Sequence, residues 1–153
     1  MTTKTRPSHE PIHLRAIEVE FLVDADESGG AATVFEIRVG AGGMTPPPHS
    51  HDAFEETVYG LEGELTFTIE GATKTICPGD ALVITRGQVH GFANTGAGTA
   101  RFLSVATPGV FGPDYFHELA GVLAAAGDGP PDLGAFFAVM QRHGLTPAPP
   151  PGR

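Results

Sequence analysis

Tryptophan is absent from this sequence, and one cysteine, Cys77, stands among 153 residues. A single thiol cannot build an internal disulfide framework, which excludes the disulfide-stapled class and fits a reducing compartment. Long apolar runs are missing as well. The opening stretch MTTKTRPSHEPIHLRAIEVE holds nothing long enough for a signal peptide or a membrane span, and no later segment supplies one. The expectation is a soluble, cytoplasmic chain with no membrane partner. Positive charge is scarce: 9 Lys and Arg face 18 Asp and Glu, for a formal charge of −9. Proteins that bind nucleic acid displace counterions with a basic stripe, so this balance argues against a nucleic-acid partner.

What is abundant is glycine (21) and proline (14), set among short β-branched and aromatic runs. That composition suggests many short strands joined by tight turns, in one compact domain. Residues 1–16 carry two prolines and no periodic pattern, and read as a loose arm. From residue 17 to residue 107 the pattern is strand-like. IEVEFL (17–22) comes first. Across 31–39, Phe35, Ile37 and Val39 alternate with Glu36 and Arg38. Across 61–69, Leu65, Phe67 and Ile69 alternate with polar neighbours, and Glu70-Gly71 turns the chain into ATKTI (72–76) as a hairpin. ALVIT (81–85), QVHGFA (88–93) and TARFLSVAT (99–107) complete a set typical of a sandwich or barrel.

The period then changes. In PDYFHELAGVLAAAG, Tyr115, Phe116, Leu119, Val122, Leu123 and Ala126 recur at helical spacing, with Pro113 suited to the first turn and Gly127 to the stop. A second helix places Leu133, Phe136, Phe137 and Met140 on one face and ends near His143 and Gly144. These helices, within 108–145, are expected to pack on the strands. The proline-rich end, 146–153, reads as an extended, disordered tail. No internal repeat is evident.

Chemistry concentrates in GMTPPPHSHDAFEETVYGLEG (43–63). His49 and His51 are one residue apart, so on an extended strand both imidazoles point to one side, as two ligands of one metal ion must. Pro46–Pro48 holds the approach extended. The acidic pair Glu55-Glu56 follows. In PGDALVITRGQVHGFAN (78–94), His90 lies on a short strand of its own.

The first stretch resembles the first cupin motif, G-x5-H-x-H-x4-E-x6-G, with Gly43, His49, His51, Glu56 and Gly63 in place. The second resembles its companion, G-x5-P-x-G-x2-H-x3-N, with Gly79, Gly87, His90 and Asn94 in place and Thr85 where the family has proline. The count to Gly63 selects Glu56 over Glu55. The resemblance spans 17–107. It implies an all-β jelly-roll barrel, carrying here two short C-terminal helices, with one divalent transition metal ion (Fe, Mn, Ni, Co, Cu or Zn) held by His49, His51, Glu56 and His90. Cupins commonly pair through strand edges, which implies a homodimer.

Other histidines fare worse as ligands. His9-Glu10-Pro11-Ile12-His13 matches the string H-E-x-x-H, but that motif needs a helix and Pro11 stands in its middle. Gly40–Gly43 lacks the Lys-Ser or Lys-Thr of a phosphate loop and reads as a turn. His117 and His143 read as surface or capping residues, and Cys77 as a structural thiol.

An open three-histidine, one-carboxylate set suits catalysis better than a closed structural site. Around it the sequence is similar to small quercetin-dioxygenase-like cupins, in FLVDADESGGAATVFEIRV, TPGVFGPDYFHEL and the ending HGLTPAPP. That similarity implies a dioxygenase acting on a small oxygenated aromatic or diketone substrate, with Glu56 also serving as general base. A non-redox cyclase or isomerase is the second reading, and a small-molecule-binding module without turnover the third. Strand parity places Phe54 and Val58 beside Glu56, and Gln88 and Phe92 beside His90, as pocket residues: Phe92 on an apolar wall and Gln88 as a donor behind the metal ligands.

Overall fold

A computed structural model describes residues 9–149. Its elements are β1 (Ile12–Leu14), β2 (Ile17–Val23), β3 (Thr33–Val39), β4 (His49–His51), β5 (Glu55–Glu62), β6 (Leu65–Ile69), β7 (Ala72–Ile76), β8 (Ala81–Ile84), β9 (His90–Ala93), β10 (Ala100–Thr107), α1 (Pro113–Ala126), α2 (Leu133–Arg142) and β11 (Leu145–Pro147). Two antiparallel sheets form, ordered β1-β2-β3-β10-β5-β8 and β11-β4-β9-β6-β7. The alternation read in 31–39 is realised in β3, where Phe35, Ile37 and Val39 are buried and Arg38 is exposed. In β10, Ala100, Phe102, Ser104 and Ala106 are the buried positions. Side chains from both sheets and both helices meet in one core. This is the double-stranded arrangement expected of the fold, built as two sheets rather than one continuous closed barrel.

Three stretches fold differently from the sequence reading. The run 61–69 is not one strand, because Gly63 sits at φ 66 and a Cβ there would lie 2.5 Å from the Thr99 carbonyl oxygen. The chain turns at that point, so Leu61 and Glu62 end β5 and β6 begins at Leu65. The N-terminal arm is not loose throughout: Ile12 and Leu14 are buried in β1, which pairs with β2. Residues 1–8 lie outside the described residues. Nor is the tail disordered at its start, since β11 pairs with β4 and the Ala148 amide donates to the Pro48 carbonyl. Pro147 is tolerated there because β11 is an edge strand, where a missing N–H costs no ladder bond. The remaining tail, 150–153, is outside the described residues.

Helix α1 starts at Gly112 as N-cap with Pro113 in the first turn and ends at Gly127, as its sequence signals require. It buries Tyr115, Phe116 and Leu119, and its Phe116 ring meets Phe21 and Phe35 at 5.9 and 5.8 Å. Burying a side chain such as Phe116 or Leu119 is worth about 1.5–3 kcal/mol. Helix α2 is capped by Asp132, whose carboxylate accepts from the Ala135 amide at 3.1 Å. Its buried face is Phe136, Val139 and Met140, with Phe137 partly covered, while Leu133 is 54% exposed at the first turn. Glu118 ties the helices together, accepting from Arg142 at 3.1 Å and lying 2.9 Å from His143 Nε2. Among the described residues no helix is long and apolar enough to cross a membrane.

Candidate metal centre

Strands β4 and β9 are neighbours, and their register sets His49 directly opposite His90. His51 lies two residues along β4 on the same face, which is the consequence of strand period that its spacing foretold. The three rings gather with centroids 4.6 Å (His49–His90), 4.4 Å (His51–His90) and 5.2 Å (His49–His51) apart. Each offers a ring nitrogen, and these atoms lie within 4.8 Å of one another. All three residues are buried.

The wiring behind the rings favours lone pairs that face inward. His49 Nδ1 lies 2.9 Å from the Pro47 carbonyl oxygen and His90 Nδ1 lies 2.9 Å from that of Gln88. A ring that donates from Nδ1 to a carbonyl keeps its Nε2 lone pair free for a metal. His51 is held otherwise, stacked on Phe54 at 4.2 Å, and its buried Nδ1 has no hydrogen-bond partner among the described residues. Burial, reinforced by the neighbouring imidazoles, lowers the pKa of His49 to about 4 and that of His51 to about 2. Both are therefore neutral at physiological pH, the state in which imidazole binds a metal. Three clustered rings, two of them held neutral by burial, fit a divalent ion of intermediate hardness.

The adjacent glutamates go opposite ways. Glu55 is clamped at the surface by Arg86, whose Nε and Nη2 donate to its two oxygens at 2.6 and 2.7 Å. The Arg86 side chain holds the Glu55 carboxyl down, to about 2. Glu56 turns inward: one oxygen accepts from Ser104 Oγ at 2.7 Å and the other stands 3.8 Å from His51 Nε2. Burial pushes its pKa up, against the His90 and Ser104 contributions. Glu56 stands beside the three-histidine cluster, next to His51, and is not itself one of the clustered ligand groups.

Turn residues complete the frame. Asn94 is buried, donating to the Val39 and Gly98 carbonyls at 3.0 and 2.8 Å, so its motif position serves the chain path. At Thr85, where the motif it resembles has proline, the backbone N–H donates to Gln88 Oε1 at 2.9 Å, a bond proline could not make. That explains a departure from expectation: the Gln88 side chain closes its own turn, and it is the Gln88 carbonyl, as acceptor, that supports His90.

A cavity opens from this cluster. Its wall includes His49, His51, Glu56 and His90, with Phe35, Phe67, Phe92, Phe111 and Phe116 among the apolar lining. Phe92 lines it as parity required. Phe54 and Val58 do not; they are fully buried in the core, Phe54 between His51 and Phe111. The bend at Asp52 and Ala53 separates β4 from β5, so inward parity on β5 carries Val58 deeper into the core. The sequence reading also missed Tyr115, which lines the cavity from α1, its phenol pushed above the usual range by burial and then by the Glu56 charge. The other histidines stay outside. His9 pairs with Glu27 at 2.7 Å, His13 is exposed on β1, His117 is exposed on α1, and His143 caps α2.

Comparison with known proteins agrees with this geometry. The sequence model of the family described as Cupin domain matches residues 35–106. The solved structure of the polyketide cyclase RemF from Streptomyces resistomycificus is 28% identical, covers 76% of this chain and 93% of its own, and superposes with a TM-score of 0.59. Germin-like protein subfamily 2 member 2 of Arabidopsis thaliana is 44% identical over 68 residues, 41% of this chain and 31% of that protein. A segment of endoribonuclease YbeY of Myxococcus xanthus is 32% identical over 102 residues, 64% of this chain and 32% of that protein. The chain thus spans about a third of the length of these curated relatives. The matched domain and the shared architecture support the cupin superfamily, and the fold of the chain is the cupin double-stranded β-helix.

Proposed function

We propose that the protein is a metal-dependent enzyme acting on a small oxygenated aromatic or diketone compound, by non-redox proton-transfer chemistry of the cyclase or isomerase kind. The observation that carries this reading is the cavity itself: an aromatic wall running up to three clustered imidazoles and an inward carboxylate. Such a pocket selects an apolar ring system, while its few polar groups converge on one oxygen-bearing end. A divalent ion held by His49, His51, His90 and Glu56 would act there as a Lewis acid that acidifies the bound compound.

The chain's own residues account for the rest. The phenylalanine wall excludes water and orients the ring. Glu56 is positioned by Ser104 at one oxygen, leaving the other to accept a proton from the substrate. The similarity to a polyketide cyclase at 28% identity favours ring-forming or isomerising chemistry over dioxygen cleavage, the first expectation from sequence, which would use the same site. The charge of −9 weighs against an RNA substrate despite the partial similarity to an endoribonuclease.

The test is product formation from aromatic diketones, catechols and flavonols by purified, metal-analysed protein, with and without dioxygen. Turnover that persists under strict anaerobiosis supports the proposal. Turnover that stops without dioxygen establishes the dioxygenase instead, and inertness across the panel favours a binding module.

A further inference from the structure

The cavity's apolar wall is interrupted by a phenol. Tyr115 sits in the first turn of α1, outside the matched cupin domain, and is 2% exposed. Its ring is packed against Phe111 and Phe116, both at 4.9 Å, and meets the His143 ring edge-on at 5.7 Å. Three aromatic contacts fix the ring and so fix where its oxygen lies. Yet no group among the described residues hydrogen-bonds to that hydroxyl. Among the described residues the sealed, unpartnered polar side-chain atoms are Thr33 Oγ1 and His51 Nδ1, and this oxygen is not one of them. The oxygen therefore keeps contact with open space, and the space Tyr115 lines is the cavity that holds Glu56 and the histidines.

A hydroxyl that faces open space and has no protein partner is free to give its hydrogen bond to whatever occupies that space. The charged lining groups, Arg15 and Glu56, are otherwise engaged. Arg15 donates to the Gly127 and Gly129 carbonyls at 3.0 and 2.7 Å, and Glu56 accepts from Ser104. A phenol keeps its proton at neutral pH and can donate where a carboxylate can only accept.

We propose that Tyr115 is a substrate-binding and specificity-determining residue, its hydroxyl donating a hydrogen bond to a carbonyl or enol oxygen of the compound in the cavity. This rests on the functional reading above and adds to it: the substrate carries an oxygen that is met from α1, on a side of the cavity that feels the Glu56 charge. A hydrocarbon of the same shape would fill the aromatic wall but leave the phenol unpaired, and a site built to hydrogen-bond an oxygen discriminates strongly against its absence.

The protein itself offers the probe. It has no tryptophan and two tyrosines, Tyr59 and Tyr115, the first 43% exposed and the second buried. Fluorine NMR of fluorotyrosine-labelled protein as isolated should show the Tyr115 resonance shifting when dibenzoylmethane is added, while Tyr59 stays put. Diphenylpropane, the hydrocarbon counterpart, should move it far less. Tyr115→Phe should weaken dibenzoylmethane binding by about 2–10-fold, the range for one neutral hydrogen bond, and leave diphenylpropane binding unchanged. If that variant fails to fold, the labelled wild type alone decides. Dibenzoylmethane binding with an unmoved Tyr115 resonance, or with equal affinity in Tyr115→Phe, overturns the role of Tyr115 and leaves the cavity reading standing. Failure of the wild type to bind any oxygenated aromatic overturns both.

Discussion

Ser104 and Glu56 meet across two adjacent strands: Ser104 Oγ on β10 donates to Glu56 Oε1 on β5 at 2.7 Å. The register sets Ser104 opposite Val58 and Glu56 opposite Ala106, so the bond is a diagonal one between inward-facing positions. It fixes which carboxylate oxygen remains free toward His51. Ser104→Ala should therefore act twice. Leaving the buried carboxylate without this donor should cost about 1–3 kcal/mol of stability. Losing the group that orients a metal-binding side chain should weaken metal affinity by about 10-fold, the lower end for such changes. Thermal unfolding and a metal titration measure the two effects; a variant with unchanged affinity would remove Ser104 from the site.

The metal-free protein should lose stability as the pH falls. The His49 and His51 pKa values are lowered from 6.5 to about 4 and about 2. Below 6.5 the unfolded chain takes up protons that the folded chain refuses, so unfolding gains about 1.4 kcal/mol per pH unit for each such proton. The raised Glu56 carboxyl works the other way, since the folded state keeps a proton that the unfolded state releases above its ordinary value. Two imidazoles outweigh one carboxyl. Denaturant unfolding of chelator-treated protein between about pH 6.5 and about pH 4 should show the decline, and it should steepen in Glu56→Gln. A flat profile would mean that the imidazoles charge freely when folded.

Edge strand β11 should matter to the candidate metal ligands it backs. Leu145, 1% exposed, pairs with His51, and Pro147 pairs with His49. Ending the chain after Gly144 strips β4 of this partner and should lower both the unfolding temperature and the metal affinity. Unchanged affinity in a destabilised truncation would show that β9 alone holds β4 in place.

Why β11 was invisible in the sequence is physical. Leu-Thr-Pro followed by a run of prolines has no strand pattern, and three residues form a strand only because β4 offers a template edge. Strand β5 was hidden in the same way. EETVYGLE mixes charge with a glycine, and its extended form comes from pairing with β10 on one side and β8 on the other. By contrast, β3, β7 and α1 declare themselves locally, through alternation, a Glu-Gly turn, and proline and glycine at the two ends of a helical period. The three histidines were legible because strand parity and motif spacing agree. The rest of the pocket was not. A bend at 52–53 moved Phe54 and Val58 off its wall, and Tyr115 reached it from a helix whose period marks an apolar face without showing where a hydroxyl ends up.

Glu56→Gln separates binding from chemistry. The amide keeps the size of the side chain and can still accept from Ser104, and the three histidines remain to hold an ion. An amide cannot take a proton from the substrate, so turnover should fall by about 10²–10⁴-fold while substrate affinity changes little. Steady-state kinetics on any compound turned over in the screen gives both numbers. Equal losses in affinity and turnover would recast Glu56 as a binding group only.

The central claim is that His49, His51 and His90, with Glu56 beside them, hold one metal ion at the base of an aromatic cavity. Elemental analysis of protein purified with and without His49→Ala and His51→Ala tests it most directly. The account predicts one divalent transition metal ion per chain in the wild type, loss of tight binding in the double variant, and retention in His9→Ala and His143→Ala. Full metal occupancy in the His49→Ala, His51→Ala double variant would contradict it.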